Sequence, residues 1–289
     1  MANLEMHLSG GLGNQILQFY ACLYLARLQN REPVLNLNRA AYSHSRFDIT
    51  SFQLPCAIKR DNIRNKAYKL LPNLHKVQDR LLHKRSSHLI DAGFLGNVDL
   101  ANNQQIKSAS GHFVTFEYML QSKNINLQLV NESQKYLEYK NLLENHPTLG
   151  VHVRRGDFLG QSEQHGCLSK EWYLDKIINQ LTHNREYKLV MIFTNEKSWV
   201  EANLLKRLSV KQEIMIVDQF ELQDPAESWR LLQNCKSLIL ANSSFSITSA
   251  VFSNSEMIIS PAPFSRGRNY IEADQTLPKN WLRSSSIWE

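Results

Sequence analysis

Between Leu149 and Pro261, short apolar runs alternate with stretches whose apolar residues recur every three or four positions. "LGVHVRRGD" begins as a strand, and "SKEWYLDKIINQL" follows as a helix with Ser169 as its cap and Glu171 in its first turn. "YKLVMIFTN" is a buried strand, "SWVEANLLKRL" a helix, "EIMIVD" a strand and "PAESWRLLQNC" a helix. "SLILAN" is again a strand, "SSFSITSAVF" a short helix and "MIISP" a last strand. Such alternation predicts a parallel sheet with helices on both faces, in which ligands bind beyond the carboxyl ends of the strands. The chemistry-bearing loops "RRGD", "TNE", "DQFE" and "NSS" all stand at those ends.

The first half opens in the same way, with strand "EMHLS", turn "GGLGN", a long helix "QILQFYACLYLARLQN" and strand "PVLNLN". After Asn38 the rhythm loosens, and "HFVTFEYML" at 112–120 is the one further strand expected. Pro147 and Gly150 interrupt "LLENHPTLG" and place the boundary between halves there. The expected architecture is α/β, with two nucleotide-binding-type domains, 1–148 and 149–289, facing one another across a cleft.

A length of 289 residues suits two domains of ordinary size. The net charge of +6, from 33 basic and 27 acidic side chains, favours anionic partners such as phosphate esters or acidic lipid. No nucleic-acid-binding module is readable, so nucleic acid is not an expected partner. Cys22, Cys56, Cys167 and Cys235 form no Cys-x-x-Cys pair, which indicates neither zinc nor a disulfide framework. "MANLEMHLSGG" has no apolar core of signal-peptide length and no stretch elsewhere is long enough to span a bilayer, so a cytoplasmic location is expected. Arg64 to Arg85 carries seven Lys or Arg against one acid, Asp79, with leucines interspersed. It reads as a solvated helix pair broken at Pro72, or as a peripheral contact with an anionic membrane surface.

Three motifs carry candidate chemistry. In "VHVRRGDF", strand alternation puts His152 and Arg154 on one face and leaves Arg155 at the turn. A guanidinium is permanently charged, and its planar fork matches phosphate oxygens, so Arg154 is the candidate for a departing diphosphate. Arg155 is expected to shape the loop beside Asp157, the ordinary form of which is a surface ion pair. The letters Arg-Gly-Asp also spell an adhesion tripeptide, a coincidence where a cytoplasmic location is expected. "GGLGNQ" (Gly10, Gly11, Gly13, Asn14, Gln15) follows a strand and precedes a helix, as a phosphate-cradling turn does. It matches neither the dinucleotide fingerprint nor the P-loop, and a turn without a ligand uses the same glycines. "NSSFS" offers Asn242, Ser243 and Ser244 at a helix start, where they cap the helix or leave its N–H groups for an anion.

Together, "GGLGNQILQFYA", "HVRRGD" and "NSSFS", supported by "LSKEWYLDKII", "IFTNEKSWVEANL", "LLQNCKSLILANSSFS" and "LPKNW", resemble the α-1,2-fucosyltransferase family, glycosyltransferase family 11. The resemblance implies a GT-B-type fold of two Rossmann-like domains, the first on the acceptor side and the second binding the donor. It implies GDP-L-fucose as donor, inversion at the anomeric carbon, no metal cofactor, and a galactose-type acceptor whose 2-hydroxyl is glycosylated. Enzymes of this kind build bacterial surface polysaccharide such as O-antigen on lipid-linked precursors, which would give Arg64–Arg85 a use at the inner membrane face. Carried onto this sequence, donor binding falls to Gly11, Gly13, Asn14, His152, Arg154, Arg155, Asn242, Ser243, Ser244 and Phe245. Catalysis falls to Arg154, Asp157 and Asn14. Asp157, Glu163 and His165 are candidates for a base.

The chain departs from the family in two places. Ile247 and Thr248 stand where two tryptophans are usual, and Asn195 and Glu196, after Phe193 and Thr194, stand where an acidic pair is usual. Both flank the expected cleft and bear on the acceptor. No Asp-x-Asp occurs in the chain, so an arginine taking the place of a metal is coherent with the composition. The alternatives are a non-catalytic nucleotide-sugar or glycan-binding protein of the same fold, and a related transferase with another donor.

Overall fold

The computed structural model describes residues 2–37, 48–60, 88–91, 106–122, 124–219, 221–222, 224–267 and 277–289. The basic segment Arg64–Arg85 lies outside the described residues. The chain divides into two compact units, Met1–Val130 and Asn131–Glu289.

In the first unit, strands β1 (Asn3–His7), β2 (Glu32–Asn36), β3 (Ala57–Lys59), β4 (His88–Asp91) and β5 (Ser108–Gly111) form a parallel sheet of order β3-β2-β1-β5-β4. Helix α1 (Leu12–Leu28) follows β1 and is apolar nearly all round, as a helix covered on most sides must be. Residues 112–120, expected as a strand, are not one. Extension stops at Gly111 (φ 134°) and Phe113 (φ 50°), and Glu117–Gln121 forms helix α2. Phe113, Phe116 and Tyr118 are nonetheless buried. An apolar run therefore marked burial correctly and conformation wrongly, because a short run does not distinguish strand from helix or loop.

The second unit begins with helix α3 (Gln134–Asn145). Its position corrects the expected boundary, since the division precedes this helix rather than following it. The physical tie is polar: Ser133 N and Oγ donate to the Glu227 carboxylate at 2.6 and 3.0 Å, and the Tyr139 hydroxyl donates to Glu221 at 3.2 Å.

There follow β6 (Thr148–Val153), α4 (Lys170–His183), β7 (Leu189–Thr194), α5 (Lys197–Asn203), β8 (Glu213–Asp218), α6 (Pro225–Gln233), β9 (Ser237–Ile239), α7 (Ser244–Val251), β10 (Met257–Ala262) and β11 (Leu282–Ser285). Ser169 caps α4 through Trp172 N, as its place before the amphipathic run predicted.

The sheet is parallel, of order β11-β10-β9-β6-β7-β8. In sequence terms this is the dinucleotide-fold order, with the chain winding outward from β6 on one side and from β9 on the other. β6 and β9 therefore flank the switch point, where the loops leaving the two strands diverge and open a crevice. β6 is buried along its whole length. At Gly150 a Cβ would stand 2.6 Å from Cys235 Sγ, so only glycine fits there. Among the described residues, no helix is long and apolar enough to cross a membrane.

Candidate active site

His152 and Arg154 leave the carboxyl end of β6, and Asn242 to Phe245 follow the neighbouring β9. The parallel pairing of these strands brings two motifs ninety residues apart in sequence to one end of the sheet. The His152 and Phe245 rings lie 5.4 Å apart. Ser243 accepts from Phe245 N at 3.3 Å and caps α7, which is the ordinary role its position suggested. Asn242 Nδ2 donates to the carbonyls of His165 (2.8 Å) and Gly166 (3.1 Å). It thereby holds the far end of the arginine loop.

His152 Nδ1, Arg154 Nε and Asn242 Oδ1 are buried without a hydrogen-bond partner. Buried polar atoms are ordinarily paired, and these three stand on the two strand exits that flank the switch point.

The two arginines have different surroundings. Arg154 Nη2 reaches the Asp157 carboxylate at 2.7 Å, and its guanidinium lies 5.5 Å over Phe158. Its side chain is 27% exposed and that of Asp157 60%, so the pair is weak and displaceable.

Arg155 is buried, with Nε 3.3 Å from Glu196, Nη1 2.8 Å from Glu289 and its plane 4.1 Å over Trp199. Its backbone N–H donates to Asn195 Oδ1 at 2.9 Å and its carbonyl accepts from Asn195 Nδ2 at 3.2 Å. Two expectations are corrected here. Asp157 partners Arg154, because the Arg155 guanidinium is already engaged by Glu196 and Glu289. Arg155 is not available to a donor, because two carboxylates and an indole already occupy its guanidinium.

The departures from the family pattern also have structural explanations. Asn195 and Glu196 bind the backbone and side chain of Arg155. Ile247 and Thr248 are fully buried; Thr248 Oγ1 accepts from Trp229 Nε1 at 3.0 Å and donates to the Phe245 carbonyl at 3.0 Å. They are core residues of α7, and the expectation that they line the cleft is corrected.

Of the candidate bases, Asp157 is paired with Arg154. His165 stacks on Phe158 at 4.8 Å and bonds Gln161, and Glu163 is exposed on the loop. Among the described residues, no group of three or more His, Cys, Asp or Glu side chains is arranged to hold a metal ion.

The glycine turn lies in the first unit, after β1. Gly10 has φ 77° and Asn14 folds over it, so a Cβ there would stand 2.6 Å from Asn14 Nδ2. Gly11 takes the cap position of α1 with no side-chain cap, and a Cβ there would meet nothing within 4 Å. Gly13 is buried inside the first turn. Gln15 Nε2 donates to the Gly10 carbonyl at 2.8 Å while Gln15 Oε1 accepts from Ile49 N. Gln18 bridges Ser9 N and the Gly111 carbonyl.

A polar row not foreseen from sequence crosses the same sheet: Ser110, His7, Asn36 and Lys59 are register partners on β5, β1, β2 and β3. Glu5, two residues before His7 and so on its face, accepts from Asn36 and pairs with Lys59 at 3.1 Å. Alternation in "EMH" was the available signal.

The profile of glycosyl transferase family 11 matches residues 3–283. The chain belongs to glycosyl transferase family 11. Relatives of this family 11 chain include the O-antigen biosynthesis glycosyltransferase WbnK of Escherichia coli, 25% identical over 91% of this chain and 95% of that one. An Escherichia coli alpha-1,2-colitosyltransferase is 23% identical over 98% and 99%. Among solved structures, fucosyltransferase NodZ from Bradyrhizobium has a TM-score of 0.51 at 13% identity, over 88% of this chain and 94% of that one. POFUT1 in complex with GDP has 0.52 at 13%, over 89% and 97%. The fold is accordingly GT-B type with two Rossmann-like units, and the chain is a glycosyltransferase.

One consequence concerns pH. Burial, aided by the charge of Arg154, pushes the His152 pKa from 6.5 down to about 3. The unfolded histidine takes up a proton that the folded chain refuses. The stability due to neutral His152 is therefore complete above about pH 6.5 and drains at up to about 1.4 kcal/mol per pH unit as pH falls toward 3. His152→Gln is expected to flatten the acid side of the curve of melting temperature against pH. Parallel curves for the variant and the parent would show that the histidine is not held neutral.

Proposed function

We propose that this chain is an inverting, metal-independent transferase that moves L-fucose from GDP-L-fucose to the 2-hydroxyl of a galactose-type residue in a surface polysaccharide. The observation that carries it is Arg154: a fixed, partly exposed cation at the switch point of the second unit, with a buried Nε that has no partner. As the bond from sugar to GDP breaks, negative charge grows on the β-phosphate while the sugar gains oxocarbenium character. Arg154 exchanges Asp157 for that phosphate, and neutral His152 and the start of α7 line the same end of the sheet. In this reading the second unit binds the donor and the first, with the Gly11–Gly13–Asn14 turn, serves the acceptor side. The O-antigen glycosyltransferase relative supports an acceptor in surface polysaccharide.

Turnover is expected to persist unchanged in excess chelator; activity lost to chelator and restored by manganese would refute the arginine as the charge stabiliser. A transfer screen with GDP-fucose and a panel of galactosides, read by mass, tests the donor and acceptor together. Saturable GDP-fucose binding with neither transfer nor hydrolysis would instead favour a non-catalytic glycan-binding role.

The colitosyltransferase relative motivates a second donor, GDP-colitose, whose sugar is fucose without its 3-hydroxyl. A site that hydrogen-bonds that hydroxyl rejects the analogue by roughly 10⁴-fold or more. Comparison of kcat/KM for the two donors therefore decides between them.

A further inference from the structure

We infer that Glu289 is a positioning residue for Arg154, acting through Arg155; the inference rests on the proposed role of Arg154. The segment Ile287–Glu289 touches both stems of the loop that carries the arginines. At the first stem, Glu289 Oε1 accepts from Arg155 Nη1 at 2.8 Å. At the second, Glu289 N donates to the Cys167 carbonyl at 2.9 Å and Ser169 N donates to the Ile287 carbonyl at 2.8 Å. Between these, Trp288 pairs with Leu168 as an isolated bridge and lies against Gly166, where φ is 74° and a Cβ would stand 2.6 Å from the indole. The loop is thus closed by a clasp remote in sequence.

Arg155 is where the clasp meets the chemistry. Its guanidinium is held by Glu196, Glu289 and Trp199, and its peptide by Asn195. The Arg154 guanidinium has the exposed Asp157 carboxylate and the Phe158 ring beside it, and its Cα is one peptide, about 3.8 Å, from an anchored neighbour. The anchored arginine sets the backbone from which the working arginine reaches. Without Glu289, a buried cation keeps one carboxylate where it had two, and buried ion groups stripped of a partner rearrange or recruit water.

The test is a cycle of variants in the intact chain: Glu289→Ala and Glu289→Gln, each made alone and with Arg154→Ala. Steady-state transfer and hydrogen exchange of the 155–168 amides are read for all of them. Glu289→Ala is expected to lower kcat about tenfold with donor KM within about twofold, since misplacing a catalytic group by an ångström costs up to about a hundredfold. Glu289→Gln, which keeps an acceptor oxygen at the same reach, is expected to retain about half of kcat or more. In the Arg154→Ala background, Glu289→Ala is expected to change the residual rate by less than about twofold, the non-additivity of residues acting as one unit.

Multiplied losses in that background, or a Glu289→Ala enzyme with parental kcat, would overturn the inference. Exchange gives a readout independent of the donor: faster exchange in Glu289→Ala but not in Glu289→Gln supports the clasp, and unchanged exchange refutes it. Absence of transfer by the parent chain from any GDP-sugar would instead strike the proposed function, with exchange still deciding the clasp.

Discussion

Arg154→Ala is expected to lower the transfer rate by on the order of a hundred- to a thousand-fold, the usual cost of removing one group that stabilises charge in a transition state. Donor KM should move far less, because the charge at the β-phosphate oxygen grows only as the glycosidic bond breaks. Melting temperature should barely change, because the pair lost joins a partly exposed guanidinium to a carboxylate that is mostly in water. Arg154→Lys should fall between, since an ammonium keeps the charge and loses the fork. The variant Arg155→Ala should lose stability as well as rate, with Glu196, Glu289 and Trp199 left without their common partner and Arg154 without its anchored neighbour. If Arg154→Ala turned over at near the parental rate, the assignment of the diphosphate to this residue would be wrong.

Thr248→Trp is expected to destabilise the second unit severely, although it restores a residue type usual in the family. Thr248 is fully buried on α7, with its hydroxyl between Trp229 Nε1 and the Phe245 carbonyl. Trp229, on α6, is itself fully buried, and its carbonyl accepts from Ser249 Oγ at 2.7 Å. Extra methylenes forced into a packed core already cost about 1–3 kcal/mol, and an indole adds far more volume than that. A loss above about 3 kcal/mol corresponds to roughly 10 °C in melting temperature for a unit of this size. Because α7 begins at the residues that face His152, the same displacement should weaken GDP binding. Trp229→Ala combined with Thr248→Trp should recover part of the lost stability, one indole taking the space of the other. A Thr248→Trp variant melting with the parent would mean that the α6–α7 contact is looser than its burial indicates.

The parts of the fold that were legible are those where burial forces a pattern. β6 to β10 have apolar runs because helices cover the sheet, and capping serines at 169 and 243 mark helix starts by their own hydrogen bonds. β3 and β11 stand at sheet edges with mostly exposed side chains, so no hydrophobic rhythm announces them. β5 is "SASG", a strand made by its neighbours rather than by its propensity.

At the site, the position of His152 and Arg154 followed from strand alternation and from the expected parallel sheet. The assignment of Asp157 to Arg155 failed because the Arg155 guanidinium is taken by Glu196 and Glu289, partners remote in sequence. Glu196 and Trp199 were in view only as a departure from a pattern and as part of a helix. Glu289 was not in view at all, since nothing local in sequence couples residues 134 positions apart.

That separation also orders events during synthesis and folding. Pairings between distant residues form late, because their loop-closure entropy must be met before the contact rewards it. The β6–β7–β8 hairpin-free ladder can assemble while Ile287–Glu289 is still missing from the nascent chain, but the arginine loop then lacks its clasp. A ribosome-bound chain released from the tunnel only as far as β11 should therefore have the sheet while its arginine loop is still without the clasp.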